Sequence, residues 1–240
     1  MAIAQLKDAK KVYPLGKTEV RALKGVSFEI EKGDFVSIAG PSGSGKSTIL
    51  NLLGCMDTAS SGQVIINGVE TSTLNDKQIT DLRHEVLGFI FQSFNLIPVL
   101  NVFENVEFPL LLGKNPMSKR ETKDWVNYLI EAVGLADWAT HKPNELSGGQ
   151  RQRVAIARSL ATKPSLVMAD EPTANLDSGT SQAIIDLMRQ MNIDLGTTFI
   201  FSTHDQDVVD IADHVIRLRD GLITEDYKTD RSGKAEPVGA

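Results

Sequence analysis

The stretch FVSIAGPSGSGKSTILNLL, residues 35–53, constrains the fold more than any other part of the chain. An apolar run enters a glycine-rich loop, and a helical pattern follows in which Ile49, Leu52 and Leu53 share one face. The loop fits G-x-x-x-x-G-K-[ST], in the strand–loop–helix context that this motif requires. Glycines at 40, 43 and 45 let the backbone curl until its N–H groups converge on an anion, and the helix start adds partial positive charge. The spacing sends Lys46 toward the β- and γ-phosphates of a nucleotide and gives the Ser47 hydroxyl to Mg2+. A strand ending in such a loop belongs to an open α/β sheet, which binds its ligands beyond the carboxyl ends of its strands.

Other segments supply that sheet. LGFIF (87–91), SLVMAD (165–170) and TTFIFST (197–203) are short apolar runs, and the helical SQAIIDLMRQM separates the last two. Continuous apolar strands alternating with helices imply a parallel sheet covered on both faces. Their ends carry polar groups of matching chemistry. Asp170 is placed to hold Mg2+ directly or through water, and Glu171 to polarise the attacking water as general base. Gln92 could ligate the metal or orient water, and His204 could contact the γ-phosphate and the water. Each is an ordinary strand end by itself; together on one edge they read as a nucleoside triphosphatase.

The rest of the chain frames this core. Residues 1–35 read as short strands and turns, and QVIING (63–68) as a further strand. Residues 99–145 look mostly helical; Ser118 and Glu121 have capping-box spacing ahead of a face with Trp125, Leu129, Ala132 and Val133, and Gly134 ends it. From Tyr227 the chain turns polar, with Gly and Pro, and is expected to fray. A net charge of −6 argues against a nucleic-acid binder that relies on bulk basic charge. One cysteine, Cys55, rules out an intrachain disulfide and any cysteine-cluster metal site, which fits a reducing compartment. No signal peptide is visible at the start, and no apolar run approaches the roughly 20 residues that span a bilayer. A soluble protein is expected, reaching a membrane only through a partner.

The segment NELSGGQRQR, 144–153, raises a separate problem, because Gly148 and Gly149 open an amphipathic helix. Each costs up to about 1 kcal/mol against alanine in a helix interior. Ser147 and Gln150 have capping-box spacing, but a capping box needs no glycines between its ends. Two bare N–H groups at a positive helix end suit the close approach of a second anion.

At this point the chain resembles the ATP-binding cassette family. LSGGQ is that family's signature, and GPSGSGKS, the glutamine of FQSFNL, LVMADEP, ANLD and the histidine of STHD stand around it in the family's order from Tyr13 to about Asp220. The resemblance implies an α/β fold: a P-loop core with a mainly parallel sheet, an N-terminal antiparallel β subdomain and an inserted α-helical subdomain near 93–160. It implies one ATPase domain over 1–226, with 227–240 as a polar tail. It implies ATP and Mg2+ as ligands, and two cassettes packed head to tail with each ATP between them. Residue by residue, Tyr13 would stack on adenine. Gly40, Pro41, Ser42, Gly43, Ser44, Gly45, Lys46, Ser47 and Thr48 would hold the phosphates. Ser47, Gln92 and Asp170 would serve the metal, Glu171 the water and His204 the γ-phosphate. Ser147, Gly148, Gly149 and Gln150 would meet the partner's ATP, and Asp177 would cross the interface.

Within the family, GPSGSGKSTILNLLGCMDTASSGQV and LGFIFQSFNLIPVLNVFENVEFPL resemble the lipoprotein-release and macrolide-export types (LolD-like and MacB-like), with the cell-division ATPase FtsE nearby. That implies an ATP-driven homodimer on the cytoplasmic side of the cell membrane, bound to an integral membrane permease and to no nucleic acid. The insertion, with Phe94, Leu96, Phe103 and Phe108, would receive a helix of that permease. Two other readings compete. An FtsE-like ATPase would gate a periplasmic activity without transport. A soluble cassette of DNA repair or translation would carry long coiled coils, zinc-binding cysteines or a second cassette, none of which this sequence has.

Overall fold

The computed structural model describes residues 1–16, 18–113, 117–229 and 235–238. Strands β1 (Ala2–Leu15) and β2 (Thr18–Glu31) pair antiparallel at the start of the chain. Each has 14 residues, so the expected short strands and turns are corrected to one long hairpin. Register shifts, one of them between Leu6 and Ala9, break the period-two alternation that would have announced strands of this length.

Along the chain then come β3 (Phe35–Ala39), α1 (Lys46–Leu53), β4 (Ser61–Ile66), β5 (Val69–Glu70), α2 (Asp76–Val86) and β6 (Leu87–Ile90). They are followed by α3 (Val102–Glu107), α4 (Lys119–Ala132), α5 (Gly148–Leu160) and β7 (Leu166–Asp170). The remainder is α6 (Ser178–Leu195), β8 (Thr198–Thr203), α7 (Gln206–Asp210), β9 (His214–Arg219), β10 (Leu222–Thr229) and β11 (Ala235–Pro237). An antiparallel sheet has the order β2-β1-β4-β5, and a larger sheet the order β11-β10-β9-β3-β8-β7-β6. In the larger sheet β9, β3, β8, β7 and β6 run parallel, while β10 and β11 are antiparallel.

Every residue of β3 and β8 is buried, as a sheet covered on both faces demands. Alternate side chains serve two cores. Phe199 and Phe201 face the helices α3, α4, α5 and α6 with Phe35, whereas Ile200 faces α1 and the antiparallel sheet. The Phe35 and Phe201 rings lie 4.4 Å apart, centroid to centroid.

Between β6 and β7 the described residues form no strand. Capping boxes start α3 at Asn101–Glu104 and α4 at Ser118–Glu121. Val126, Leu129 and Ile130 of α4 are buried, and the Trp125 indole N–H donates to the Ala161 carbonyl at 2.8 Å, tying α4 to the end of α5. Residues 114–116 of the insertion lie outside the described residues. The fraying expected from Tyr227 is corrected where it can be followed. Tyr227–Thr229 complete β10, and Ala235–Pro237 pair with them, so backbone hydrogen bonds hold this polar stretch. Residues 230–234 and 239–240 lie outside the described residues.

Candidate nucleotide site at the carboxyl edge of the sheet

The glycine loop leaves β3 and packs against β2. Gly45 has φ +108, and a Cβ there would stand 2.8 Å from the Ala22 carbonyl and 2.9 Å from Leu23 Cδ2, so only glycine fits. Helix α1 starts without a side-chain cap and with no acidic residue in its first turn. Its first N–H groups and its dipole are thus left available to an anion. Lys46 is buried, and its ammonium donates to the carbonyls of Gly40 at 2.8 Å and Pro41 at 3.1 Å. Beside it lies a cavity of about 500 Å³ lined by Arg21, Lys24, Gly43, Lys46, Ser47 and Thr48, with Glu171 also on its wall. Three cationic side chains on one wall suit a polyphosphate.

The carboxylates come from the end of β7. Asp170 Oδ1 accepts from Ser47 Oγ at 3.2 Å and also from Ser202 Oγ of β8. The Glu171 backbone is left-handed, at φ +44, and its N–H donates to the Ser202 carbonyl at 3.1 Å. Glu171 Oε1 lies 3.2 Å from His204 Nδ1. Glu171 also borders a second cavity of about 260 Å³ that Thr203 and His204 share with the start of α6. No group of three or more His, Cys, Asp or Glu side chains among the described residues could hold a metal by itself. The adjoining oxygens of Ser47 and Asp170 are hard donors, and they fit a magnesium ion that completes its shell with phosphate oxygens and water.

The other expected residues divide. Tyr13 stands on β1 directly opposite Val20, which lines the larger cavity, so both project from the same face. Gln92 is exposed after β6 and is not among the described residues lining either cavity. Its carbonyl accepts from Asn175 Nδ2 at 3.0 Å. Just beyond it, Phe94 and Asn95 are both left-handed, and Arg158 of α5 holds their carbonyls at 2.8 and 2.6 Å.

At α5 the capping box is complete: Gln150 N–H donates to Ser147 Oγ at 3.2 Å and Ser147 N–H to Gln150 Oε1 at 2.8 Å. It leaves the N–H groups of Gly148 and Gly149 unengaged. The two glycines nevertheless differ. A Cβ on Gly148 would meet Leu176 Cδ2 at 3.4 Å, an ordinary contact, but one on Gly149 would lie 2.6 Å from Thr180 Cγ2. Packing of α5 on α6 therefore requires one glycine of the pair, a reason that anion binding alone did not supply. None of residues 147–150 is among the described residues lining the two cavities. Asp177 caps α6, accepting from Thr180 N–H at 3.0 Å and Thr180 Oγ1 at 2.7 Å, and these bonds hold its carboxyl below the usual range.

Sequence reasoning missed Ser202, Arg21 and Lys24. Ser202 left a readable trace, a hydroxyl that directly follows the apolar run FIF (199–201) and stands two residues before His204. Arg21 and Lys24 left none, because a surface strand carries such cations routinely.

A phosphate-binding loop, two strand-end carboxylates and a histidine on one sheet edge define a P-loop nucleoside triphosphatase. The chain belongs to the ABC transporter family, whose profile matches residues 23–174. It is 46% identical over 221 residues to an ABC transporter ATP-binding protein of Thermotoga maritima, covering 92% of this chain and 93% of that protein. It is also 46% identical over 223 residues to the macrolide export ATP-binding/permease protein MacB of Bdellovibrio bacteriovorus, of whose length it spans only 34% while 93% of this chain is covered. Among solved structures, a dimeric post-hydrolysis state of the cassette MJ0796 of Methanocaldococcus jannaschii, bound to ADP and Pi, superposes with TM-score 0.85 at 44% identity. That match covers 94% of this chain and 98% of the other. The chain is an ATPase of this family, with ATP and Mg2+ as its ligands. No helix among the described residues is long and apolar enough to cross a membrane.

Proposed function

We propose that the chain is the nucleotide-binding subunit of a MacB- or LolD-type transporter and works as a head-to-tail homodimer. Residues 1–226 form one ATPase domain with 93–160 as its helical insertion. One observation carries this reading. Two helix starts suit anions, yet only α1 opens on a cavity with Lys46, Ser47, Asp170 and Glu171, while α5 presents Gly148 and Gly149 away from it. A second copy brings its α5 to the first copy's ATP. The dimeric arrangement of MJ0796 with ADP and Pi supports the same assembly for this chain.

In this reading the α1 N-terminus and Lys46 bind and orient the phosphates, and Tyr13 takes the adenine. Ser47 and Asp170 hold the magnesium ion, with Gln92 assisting; when bound, the ion neutralises phosphate charge. Glu171 accepts a proton from the attacking water, and His204, 3.2 Å from its carboxylate, orients both carboxylate and water. Ser147, Gly148, Gly149 and Gln150 act on the partner's ATP, and Asp177 faces the partner.

The MacB relatives join ATP-binding and permease parts in one name, which supports a permease partner and a place on the cytoplasmic face of the membrane. Leu96 and Phe103 pack against the core, so the insertion offers the permease Val99, Phe108, Leu111 and Leu112, which are exposed. The direct test is Glu171→Gln followed by light scattering with and without ATP. The variant should dimerise with ATP; a variant that binds ATP and stays monomeric refutes the head-to-tail assembly.

A further inference from the structure

The loop that follows α1 returns to β1 beside Tyr13. Ser60 N–H donates to the Lys10 carbonyl at 2.8 Å, and Val12 N–H to Ser60 Oγ at 3.0 Å, so this loop is fastened to the strand. Within it, Asp57 uses both carboxylate oxygens. Oδ1 receives the buried Lys11 ammonium at 2.5 Å, and Oδ2 receives the Tyr13 hydroxyl at 2.8 Å. Lys11 also donates to the Thr58 carbonyl at 2.8 Å and stands 4.9 Å from the centre of the Tyr13 ring. Burial works against the charge on Asp57, but the bonds from Lys11 and Tyr13 prevail and hold its carboxyl below the usual range.

We propose that Asp57 is a positioning residue of the nucleotide site, fixing the Tyr13 ring in the one orientation that offers its face to the base. This rests on the reading of Tyr13 as the adenine-stacking residue and deepens it. A phenol ring on a strand edge swings about two side-chain torsions, and ordering it at the moment of binding weakens affinity. Asp57 meets that cost beforehand, because Lys11 holds the carboxylate and the carboxylate holds the phenol. The link bears on the base and leaves the phosphates to Lys46 and the α1 N-terminus. Its signature is therefore a change in ATP affinity without a matching change in turnover or in affinity for the phosphates alone.

The test uses the full chain with Asp57→Ala, Asp57→Asn, Tyr13→Phe, Tyr13→Ala and the double variant Asp57→Ala/Tyr13→Phe. ATPase kinetics give KM and kcat, and competition by inorganic tripolyphosphate reports the phosphate site without a base. Immobilising one such side chain accounts for roughly a three- to tenfold change in affinity. Asp57→Ala should raise KM for ATP by that factor, leave kcat within about twofold and leave tripolyphosphate inhibition unchanged. Asp57→Asn should recover part of the loss, and the double variant should be no worse than either single one. The proposal is overturned if KM stays unchanged, or if tripolyphosphate weakens in parallel, which would mark a general loosening of α1. Should Asp57→Ala not fold, Tyr13→Phe decides, since it removes only the phenol–carboxylate bond and leaves the Lys11–Asp57 pair whole. An unchanged KM in Tyr13→Ala refutes the stacking role itself and is read separately.

Discussion

Gly148 and Gly149 are neighbours in one helical turn, yet alanine should act on them in opposite directions. At Gly149 the new Cβ would lie 2.6 Å from Thr180 Cγ2, about 1 Å inside the usual carbon–carbon contact. Thr180 cannot turn aside cheaply. It is β-branched, and its hydroxyl is bonded to Asp177 Oδ2 at 2.7 Å. Overpacking of this kind costs about 1–3 kcal/mol, against which alanine returns at most about 1 kcal/mol of helix propensity. At Gly148 the nearest atom is 3.4 Å away, so only the propensity gain remains. Thermal unfolding followed by circular dichroism should therefore place Gly149→Ala below Gly148→Ala by roughly 2–4 °C for each kcal/mol between them. Thr180→Ser removes the offending methyl and keeps the hydroxyl on Asp177, so Gly149→Ala/Thr180→Ser should melt near the Thr180→Ser parent. Equal melting of the two alanine variants, or no recovery in the double variant, refutes the packing account. By the role proposed for both glycines at the partner's ATP, ATP-driven association should weaken in both alanine variants, which separates that proposed role from the packing role of Gly149 alone.

Three further measurements probe other parts of the fold. His214 is fully buried between Asp226, 2.6 Å from Nε2, and Asp34, 3.8 Å from Nδ1, with Lys228 and Glu31 beyond them. Burial opposes its charge, but the two carboxylates prevail and raise its pKa. That stabilisation is complete below the unfolded histidine's value near 6.5 and is lost as pH rises through the higher folded value. The Tm advantage of the native chain over Asp226→Asn should accordingly be greatest in mild acid and shrink at alkaline pH; an advantage that grows with pH contradicts this. Burial pushes the Cys55 thiol up to about 11, so about one thiol in a thousand is ionised at pH 8, and iodoacetamide should label the folded chain far more slowly than the unfolded one. Asn105 is fully buried; it accepts from Ile97 N–H at 2.8 Å and donates to the carbonyls of Ile97, Leu100 and Asn101. Asn105→Leu should therefore destabilise by about 1–3 kcal/mol or more in urea unfolding.

What could be read in advance followed from local rules. The loop at Gly40–Ser47, the carboxylates after β7 and the capping boxes at Ser118 and Ser147 each announce themselves within a few residues. The long hairpin of β1 and β2 did not, because register shifts move charged residues of LKDAKKVYPL onto positions that a regular strand would bury. The pairing of Ala235–Pro237 with β10 did not either, since a polar segment shows no partner until the fold supplies one. The distinction between Gly148 and Gly149 depends on Thr180, some thirty residues away, and composition is blind to that approach. Tyr13 was legible as an aromatic in an early strand, but its bond to Asp57 was not.

Glu171 shows what the site asks of the chain. A glutamate at φ +44 sits where its own Cβ crowds the backbone, at a cost of about 1–2 kcal/mol that glycine would avoid. The hydrogen bond from its N–H to Ser202 keeps it there. Random substitution followed by selection for heat resistance alone should thus drift toward glycine or asparagine at this position and yield sturdier molecules, which by the general-base role proposed for Glu171 no longer turn over. On the role proposed for Glu171, its carboxylate stands against the preference of the backbone beneath it, and this one residue sets durability and catalysis in opposition.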